Sequence, residues 1–361
     1  MLTDGEMEST RQADHRVARF VKDLAIVAAI TILLAEIVLR VYAQYSPLFF
    51  LYDDSYNRFR GRPFADDWDF KLNSQGFKDV EFGAKQGYRI VGLGDSFAFG
   101  VVPYQQNYLT LLEAGLRQKY AGAEVLNMGI PATGPKDYLS LFIREGLDLK
   151  PDMVLVSLFI GNDLTDPRPK PRPWYSRSHV ASLLHYVLKI RPKYEGQIIH
   201  AKATYCDECP SLDAEAFLKV QKHFSDIYRE DYAELEALSD QAVSYLIQLR
   251  DICRQRKIDF VVAVIPAEIQ IDAALRDAVQ RQYFQDAQPV QWNFMRPNES
   301  LTKRLRATGI DYLDLYPVFA AEGKSRRLYK PRDTHWNIAG NEVAAQAIEK
   351  HIDHYLQSGS H

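Results

Sequence analysis

YRIVGLGDSFAFG, residues 88–100, is the stretch that decides the fold of this chain. It begins as a short apolar run and ends in Gly94, Asp95 and Ser96, a pattern typical of a buried strand that turns directly into a helix. Similar apolar runs recur at residues 123–129, 152–161, 259–266 and 309–315, with helix-like stretches between most of them. Near-continuous apolar strands that alternate with helices predict a parallel sheet buried on both faces. We therefore expect an α/β fold, built as a three-layer α/β/α sandwich with right-handed crossovers.

The first three predicted strands are followed by residues of types that are common in catalytic sites. Ser96, Gly129 and Asn162 follow one another at equal intervals of 33 residues, which corresponds to one strand–helix unit. In an open parallel sheet, ligands bind in the crevice beyond the carboxyl ends of the strands. We therefore predict that these three residues face the same crevice.

The stretch DTHWN, residues 333–337, supplies a base and an acid just before the last predicted helix. A serine hydroxyl is a poor nucleophile until a base removes its proton, and histidine has a reference pKa of about 6.5. A carboxylate beside the histidine fixes its tautomer and stabilises the imidazolium that forms. We therefore predict Ser96, His335 and Asp333 as the catalytic residues.

Attack by a serine places negative charge on a carbonyl oxygen, and hydrogen-bond donors must already be positioned to stabilise that charge. The predicted donors are the backbone N–H groups of Ser96 and Gly129 and the side-chain amide of Asn162. A side chain at Gly129 would obstruct the approach of a substrate to the backbone. Taken singly, these residues have structural explanations as a helix N-cap, an Asx-turn or a His–Asp pair. Their conjunction at strand ends, in this order, favours acyl transfer.

Residues 24–43 are apolar except for Glu36 and Arg40. A helix of this length, at about 1.5 Å per residue, matches the hydrocarbon core of a bilayer. The two charged residues are four apart, so they share a helix face and are able to pair. We expect a transmembrane signal-anchor here, with residues 1–23 as a cytoplasmic tail.

Flanking charge supports this orientation only in part. Basic residues before the span are Arg11, Arg16, Arg19 and Lys22, and those beyond it are Arg58, Arg60 and Arg62. A cleaved signal peptide that ends near Ala43 is one alternative, and an amphipathic helix packed on the domain is another.

The rest of the chain divides by pattern. Residues 44–86 predict an approach segment with a turn at LNSQGF, residues 72–77, and residues 87–357 predict the main domain. An insertion at about residues 165–230 begins Pro-rich and continues with an amphipathic piece. Its aromatic residues, with Trp174 and Tyr175 among them, form either a carbohydrate-stacking wall or a packed surface helix.

Several function classes find no support in the sequence. A net charge of −3, with both signs interspersed, offers no basic patch for a nucleic acid. The GLGDSF stretch begins like a dinucleotide-binding loop, but Phe97 replaces its third glycine. Cys206 and Cys209 form a single CxxC, which is either a loop-tightening disulfide or two free thiols. We expect no metal ion, because no second ligand pair accompanies the CxxC. We also expect no cofactor.

Four blocks together resemble the SGNH/GDSL hydrolase superfamily over residues 86–357: GDSFAFG (94–100), NMG (127–129), GND (161–163) and DTHWN (333–337). The resemblance implies a flavodoxin-like α/β/α fold. It also implies Ser96 as nucleophile, His335 as base, and an oxyanion hole that includes Gly129 and Asn162. The order of a membrane helix, an LNSxGF segment and a GDSF block looks like the membrane-anchored bacterial branch.

One block departs from the usual family pattern. The family places Asp three residues before His, whereas here that position is Arg332 and Asp333 lies two before the histidine. This spacing is similar to the DTHW block of alginate O-acetyltransferase-like relatives. It therefore leaves open whether water or a sugar hydroxyl accepts the acyl group.

These observations lead us to expect a serine esterase that removes acyl groups, acetyl among them, from an envelope glycan or lipid. An O-acyltransferase that modifies a polysaccharide is the alternative, since it shares the acyl-enzyme and differs in the second nucleophile. A non-catalytic envelope scaffold is a further alternative, but no expected site residue is missing. The expected partners are the acylated substrate and the membrane, with one span, an extracytoplasmic catalytic domain and no nucleic acid.

Overall fold

The structure is a computed structural model and describes residues 4–45, 60–164, 174–188, 204–284 and 291–358, with only the backbone of 4–14. The chain divides into two compact units. The first comprises Met1–Asp54 with Arg172–Ile190, and the second comprises Ser55–Pro171 with Arg191–His361. The second unit thus begins before residue 87, the predicted start of the main domain.

The second unit is built on a parallel sheet. A short antiparallel pair, β1 (Asp66–Asp67) and β2 (Phe70–Lys71), precedes it. The sheet strands are β3 (Arg89–Gly94), β4 (Glu124–Asn127), β5 (Met153–Phe159), β6 (Asp259–Ile265) and β7 (Asp311–Asp314). Their order is β4-β3-β5-β6-β7, and all neighbours run parallel. Counted from β3, this is the 2-1-3-4-5 order of flavodoxin-like folds.

The helices of both units are numbered together. In chain order they are α1 (Asp4–Tyr45), α2 (Ser96–Phe99), α3 (Tyr108–Lys119), α4 (Pro135–Arg144), α5 (His179–Val187), α6 (Ala214–Ser225), α7 (Leu235–Gln255), α8 (Glu268–Ile271), α9 (Ala273–Tyr283), α10 (Arg296–Ala307), α11 (Tyr316–Glu322) and α12 (Ile338–Ser358). Helices α1 and α5 belong to the first unit. Helix α3 packs against α12, whereas α4 and α10 pack against α7.

The central strands form the core. Every residue of β3 and β5 is buried, and β6 is buried from its second residue onward. Burial on both faces is the property that the apolar runs predict, because helices cover a parallel sheet on each side. The predicted α/β/α sandwich with a central parallel sheet is confirmed.

The described part of the predicted approach segment, from residue 60, lies in the second unit. Arg60 has a fully buried side chain and forms a two-pronged ion pair with Glu145 at 3.0 and 3.1 Å. Lys78, also fully buried, pairs with Asp67 at 2.5 Å and donates to the carbonyl of Gly100, directly after α2, at 3.0 Å. Removal of either partner of such a pair leaves an uncompensated buried charge.

The LNSQGF stretch forms a turn. The N–H of Gly76 donates to the carbonyl of Asn73 at 2.9 Å, and the Asn73 Oδ1 accepts from the N–H of Phe77 at 2.9 Å. Gly76 has a φ of +80°, and a Cβ there would lie 2.0 Å from the carbonyl oxygen of Gly61. Both the backbone angle and the close approach therefore require glycine at this position.

The first unit contains α1. Its stretch His15–Gln44 is long and apolar enough to cross a membrane, a test that a signal sequence near an N-terminus also passes. Glu36 and Arg40 form an ion pair at 2.8 Å, as their spacing predicts.

Parts of the predicted insertion, residues 165–173 and 189–203, lie outside the described residues. Its amphipathic piece contains α5, which belongs to the first unit. The predicted carbohydrate-stacking wall rests partly on Trp174, whose side chain also lies outside the described residues.

Candidate active site

Ser96 follows β3 at the point where the chain turns directly into α2. Asp95 caps this helix, because its Oδ1 accepts a hydrogen bond from the N–H of Phe97 at 2.9 Å. The tight turn requires Gly94, since a Cβ there would lie 2.8 Å from the Cβ of Ala98. Ser96 is partly exposed, and its backbone N–H has no hydrogen-bond partner among the described residues.

The Oγ of Ser96 lies 2.7 Å from the Nε2 of His335, although the residues are 239 positions apart. The other ring nitrogen, Nδ1, lies 2.6 Å from the Oδ1 of Asp333. The same carboxylate oxygen accepts from the backbone N–H of His335 at 3.1 Å. A proton held on Nδ1 by the carboxylate leaves Nε2 able to accept the serine proton.

Burial and charge act in opposite directions on this pair. Burial lowers the pKa of His335, but the hydrogen bond and negative charge of Asp333 outweigh it and raise this pKa above the ordinary histidine value. Burial raises the pKa of Asp333, but the hydrogen bond and charge of His335 outweigh it, and this pKa lies well below the ordinary aspartate value. Asp333 is therefore ionised at neutral pH.

His335 lies in a tight loop, residues 329–337, which we call the histidine loop. An antiparallel bridge between Tyr329 and Trp336 closes it. Arg332 has a φ of +50° and an exposed side chain. The left-handed turn at Arg332 brings Asp333 beside the imidazole two residues later, which explains how the departure from the family spacing still yields a carboxylate–histidine contact.

A second loop, residues 204–213, packs against the histidine loop, and we call it the disulfide loop. Cys206 and Cys209 are joined in a disulfide, which decides between the two alternatives that the sequence leaves open. The carbonyl of Cys206 accepts a hydrogen bond from the Nζ of Lys330 at 2.8 Å. The disulfide therefore closes a loop that is bonded directly to the chain carrying the histidine.

Ser211 is the residue of the disulfide loop that contacts Asp333. Its hydroxyl lies close enough to that carboxylate to help lower the pKa of Asp333. Its backbone N–H donates to the carbonyl of Pro331 at 3.2 Å, and Asp207 accepts from the N–H of Ile338 at 3.2 Å. Sequence reasoning missed Ser211, and the available signal was the neighbouring CxxC, which we interpreted only as a loop-tightening feature.

Asn162, just beyond β5, is connected to the serine turn. Its Nδ2 donates to the Oδ2 of Asp95 at 3.1 Å. An amide nitrogen carries two hydrogens, so one donor remains available to a substrate. Asp95 is fully buried, and burial raises its pKa above the ordinary aspartate value.

Gly129 packs against the backbone of α2. A Cβ on Gly129 would lie 2.4 Å from the nitrogen of Phe99 and 2.6 Å from the carbonyl carbon of Ala98. From the sequence, we expected a glycine here so that a substrate could approach the backbone. The observed crowding instead comes from α2, the helix that begins at Ser96. The N–H of Gly129 donates to the Oδ1 of Asn127 at 2.8 Å, so it already has an acceptor.

A buried carboxylate supports this asparagine. The Oδ2 of Asp79 accepts from the backbone N–H of Asn127 at 2.7 Å, and its Oδ1 accepts from the hydroxyl of Tyr104 at 2.9 Å. Burial raises the pKa of Asp79 to about 7, although these donors oppose the shift. Sequence reasoning missed Asp79, because it lies in the stretch interpreted as an approach segment.

The C-terminal part of the chain matches a known family. Residues 224–360 match the family model described as ALGX: SGNH hydrolase-like domain, acetyltransferase AlgX. The matched region contains Asp333 and His335 and begins beyond Ser96, Gly129 and Asn162. For this part of the chain, the match agrees with the predicted resemblance to the SGNH/GDSL superfamily.

Several solved structures are similar to this chain at low identity. An acetyl xylan esterase, AlAXEase, is 16% identical, with 73% of this chain and 98% of that chain covered and a TM-score of 0.40. Axe2, an acetylxylan esterase from Geobacillus stearothermophilus, is 14% identical, with 74% and 96% covered and a TM-score of 0.40. A GDSL-like lipase from Bacteroides thetaiotaomicron is 10% identical, with 77% and 92% covered and a TM-score of 0.38. No curated protein sequence matches the chain.

Proposed function

We propose that this chain is a serine-dependent acyl-ester hydrolase that forms an acyl-enzyme on Ser96. The observation that carries the proposal is the continuous hydrogen-bonded series from the Ser96 Oγ through both nitrogens of His335 to Asp333, at 2.7 and 2.6 Å. A serine, a base and an orienting carboxylate in this arrangement are the parts that nucleophilic acyl transfer needs.

The reaction proceeds in two halves. The Ser96 Oγ attacks the carbonyl carbon of the ester while the Nε2 of His335 takes the hydroxyl proton. The tetrahedral intermediate collapses, His335 returns that proton to the leaving alcohol, and the acyl group remains on the serine. Water then attacks the acyl-enzyme while His335 takes its proton, and the second tetrahedral intermediate collapses to release a carboxylic acid as His335 returns that proton to the Ser96 Oγ. Asp333 stays ionised throughout and stabilises the imidazolium.

The oxyanion of each intermediate needs donors. The N–H of Ser96 and the second Nδ2 hydrogen of Asn162, which have no acceptor among the described residues, are two such donors, and one donor is typically worth about 2.7–4 kcal/mol in the transition state. Gly129 is the proposed third donor. It acts by sharing its N–H between the substrate oxygen and the Oδ1 of Asn127, so its contribution is smaller than that of an unpaired N–H.

The proposed substrate is an acetylated carbohydrate of the cell envelope. The match of residues 224–360 to an acetyltransferase domain supports acetyl as the acyl group. Two observations support the proposed envelope location: the apolar α1, proposed here as a membrane anchor, and the disulfide, because disulfides persist in oxidising compartments. Basic residues after the span weaken the charge bias that favours an extracytoplasmic domain. One of them, Arg60, is buried in an ion pair and is therefore not a free surface charge.

A second candidate function is transfer of the acetyl group to a polysaccharide hydroxyl. Two observations favour it. The description of the matching family model names an acetyltransferase, and Asp333 stands two residues before His335, a spacing similar to the DTHW block of alginate O-acetyltransferase-like relatives. Both functions use the same acyl-enzyme. They differ only in whether water or a sugar hydroxyl completes the second half.

The test uses the full chain in detergent micelles with p-nitrophenyl acetate, compared with Ser96→Ala. Loss of the serine in a Ser-His-Asp enzyme costs on the order of 10⁶ in turnover. Equal rates for the two proteins would remove the hydrolase and transferase proposals together and leave the scaffold alternative. Transfer of acetyl to a polysaccharide acceptor at a rate well above hydrolysis would select the second candidate over the first.

A further inference from the structure

Asp95 and Asn162 are hydrogen-bonded to each other beside Ser96. The Nδ2 of Asn162 donates to the Oδ2 of Asp95 at 3.1 Å, and the two residues follow the neighbouring parallel strands β3 and β5. Asp95 is fully buried, whereas Asn162 is partly exposed. The contact therefore connects the turn that carries the nucleophile with a side chain that we propose as an oxyanion donor.

Both carboxyl oxygens of Asp95 act as acceptors. Oδ1 accepts from the N–H of Phe97 at 2.9 Å, which fixes the side chain at the start of α2 and leaves Oδ2 to face Asn162. An ionised carboxylate only accepts hydrogen bonds, so it satisfies both donors at once. Burial raises the pKa of Asp95, and these two hydrogen bonds and the charge of His335 act against that effect.

The amide of Asn162 has two orientations, related by a half-turn that exchanges Oδ1 and Nδ2. With Oδ1 towards Asp95, two acceptors would face each other, so Asp95 selects the orientation in which Nδ2 faces it. In that orientation Oδ1 is buried and has no hydrogen-bond partner among the described residues. A buried acceptor without a donor costs free energy. Within the described part of the chain, the contact with Asp95 is therefore what holds the amide this way round.

The loop around Asn162 has support of its own. The N–H of Asp163 donates to the carbonyl of Phe159 at 3.0 Å. The Oδ2 of Asp163 accepts from the N–H of Phe159 at 3.0 Å and from the hydroxyl of Tyr138 at 2.9 Å. These contacts hold the backbone of the loop without Asp95. Loss of the contact with Asp95 would therefore turn the Asn162 amide rather than displace the loop.

We propose that Asp95 is a positioning residue, whose carboxylate fixes the Asn162 amide so that Nδ2 is presented to the oxyanion. The inference rests on the proposed acyl transfer and deepens it, because Asp95 acts through Asn162 and not on the substrate. The same side chain caps the helix that begins at Ser96. One buried carboxylate thus holds the serine turn and an oxyanion donor in register with each other.

The test removes the acceptor and keeps the helix cap. In Asp95→Asn, the new side chain still offers an oxygen to the N–H of Phe97, because asparagine caps helices as well as aspartate does. Its amide nitrogen then faces Asn162, whose amide should reverse and carry Nδ2 into the buried position that Oδ1 held. Asp272→Asn, at the exposed N-cap of α9, is the matched control and should keep the turnover of the wild type.

Hydrolysis of p-nitrophenyl acetate by the full chain in detergent micelles is measured on the alkaline plateau of the pH profile, where His335 is neutral in every variant. We expect Asp95→Asn to lower kcat about 10²–10³-fold, as loss of one oxyanion donor does. The ratio kcat/KM should fall by the same factor, because the donor acts in the transition state. Asn162→Ala should cost as much, and the double variant should be no slower than Asn162→Ala alone.

A further loss of tenfold or more in the double variant would overturn the proposal, because Asp95 would then act by another route, such as its charge near His335. Wild-type turnover in Asp95→Asn would also overturn it. Asp95→Ser, which caps a helix but is too short to reach Asn162, is the second variant and should show the same dependence on Asn162. Equal turnover in the wild type and Ser96→Ala would instead reject the proposed function on which this proposal rests.

Discussion

Ser211 lies beside Asp333, where its hydroxyl helps to lower the pKa of the carboxyl group, and this proximity joins the disulfide loop to the carboxylate that is hydrogen-bonded to His335. The relationship links two segments that are more than a hundred residues apart in sequence. It also connects the redox state of Cys206 and Cys209 with the geometry of the proposed catalytic residues.

Removal of this contact is expected to slow the reaction. Ser211→Ala should lower kcat about tenfold, which is the lower limit for loss of a polar partner of a charged group, since such a partner is worth about 1.5–3 kcal/mol and 1.36 kcal/mol corresponds to tenfold in rate. Ser244→Ala, at an exposed site of α7, is the matched control. A dithiol reductant should slow the wild-type chain and leave a Cys206→Ser, Cys209→Ser variant unchanged. Unaltered rates in Ser211→Ala and after reduction would show that Asp333 is held without the disulfide loop.

Asp333→Asn tests the orienting role of the carboxylate. An amide cannot stabilise the imidazolium and favours the wrong tautomer, so we expect a loss of about 10⁴ in kcat. Circular dichroism and the thermal midpoint should remain near wild type, because the substitution keeps the size of the side chain. Near-wild-type turnover would mean that the backbone or another carboxylate orients His335.

The pH profile of kcat/KM reports the pKa of the essential base in the free enzyme. His335 accepts a proton only when it is neutral, and Asp333 holds its pKa above the ordinary value, so activity should fall on the acid side at a pH above about 6.5. In Asp333→Asn, burial remains and the raising interactions with Asp333 are lost, so the acid limb of the residual activity should move to lower pH. A limb that stays in place in the variant contradicts this assignment.

Gly129→Ala should damage the serine turn. The added Cβ would meet the backbone of Phe99 at 2.4 Å, and backbone cannot move aside cheaply. We expect a lower thermal midpoint, by several degrees, together with lower activity. Gly83→Ala is the control, because a Cβ at Gly83 would have no atom within 4 Å. If both variants have the thermal midpoint of the wild type, α2 and Gly129 are less tightly packed than the structure indicates.

Asp79 should make folding stability depend on pH. Its pKa is raised from 3.8 to about 7 in the folded state, so the folded chain binds this proton more tightly than the unfolded chain. The stability that this group contributes is fully present below about pH 4 and is lost as the pH rises towards 7. Asp79→Asn should therefore flatten the decline in unfolding free energy over this range. Urea denaturation of both proteins between pH 4 and 8 measures the difference, and parallel curves would contradict it.

The sheet was predictable because burial on both faces of a parallel strand leaves a strong local signal. Apolar runs such as residues 152–161 need no knowledge of their neighbours to be recognised. Ser96, Gly129 and Asn162 were placed in the same way, from strand ends that meet at one edge, whereas His335 was assigned from its residue type and its position before the last helix. Each of these inferences uses a periodicity or a position that the sequence carries by itself.

Contacts that depend on pairing between loops left no such signal. Ser211 and Asp79 look like ordinary polar residues in irregular segments, and only the fold brings them to Asp333 and Asn127. Glu36 was recognised as a partner of Arg40, but the hydrogen bond that it accepts at the start of α5 depends on a segment more than a hundred residues away. The donation by Gly129 to Asn127 likewise depends on backbone geometry that a glycine in a sequence does not specify.

The separation of 239 positions between Ser96 and His335 has a consequence for the protein during its synthesis. A nascent chain acquires its nucleophile early and its proposed base only when synthesis is nearly complete, with α12 still to follow. Until then the hydroxyl lacks the proposed base, and under the proposed mechanism the growing polypeptide is inactive. Proteolytic trimming from the carboxyl end would return a mature molecule to the same silent condition without disturbing its nucleophile.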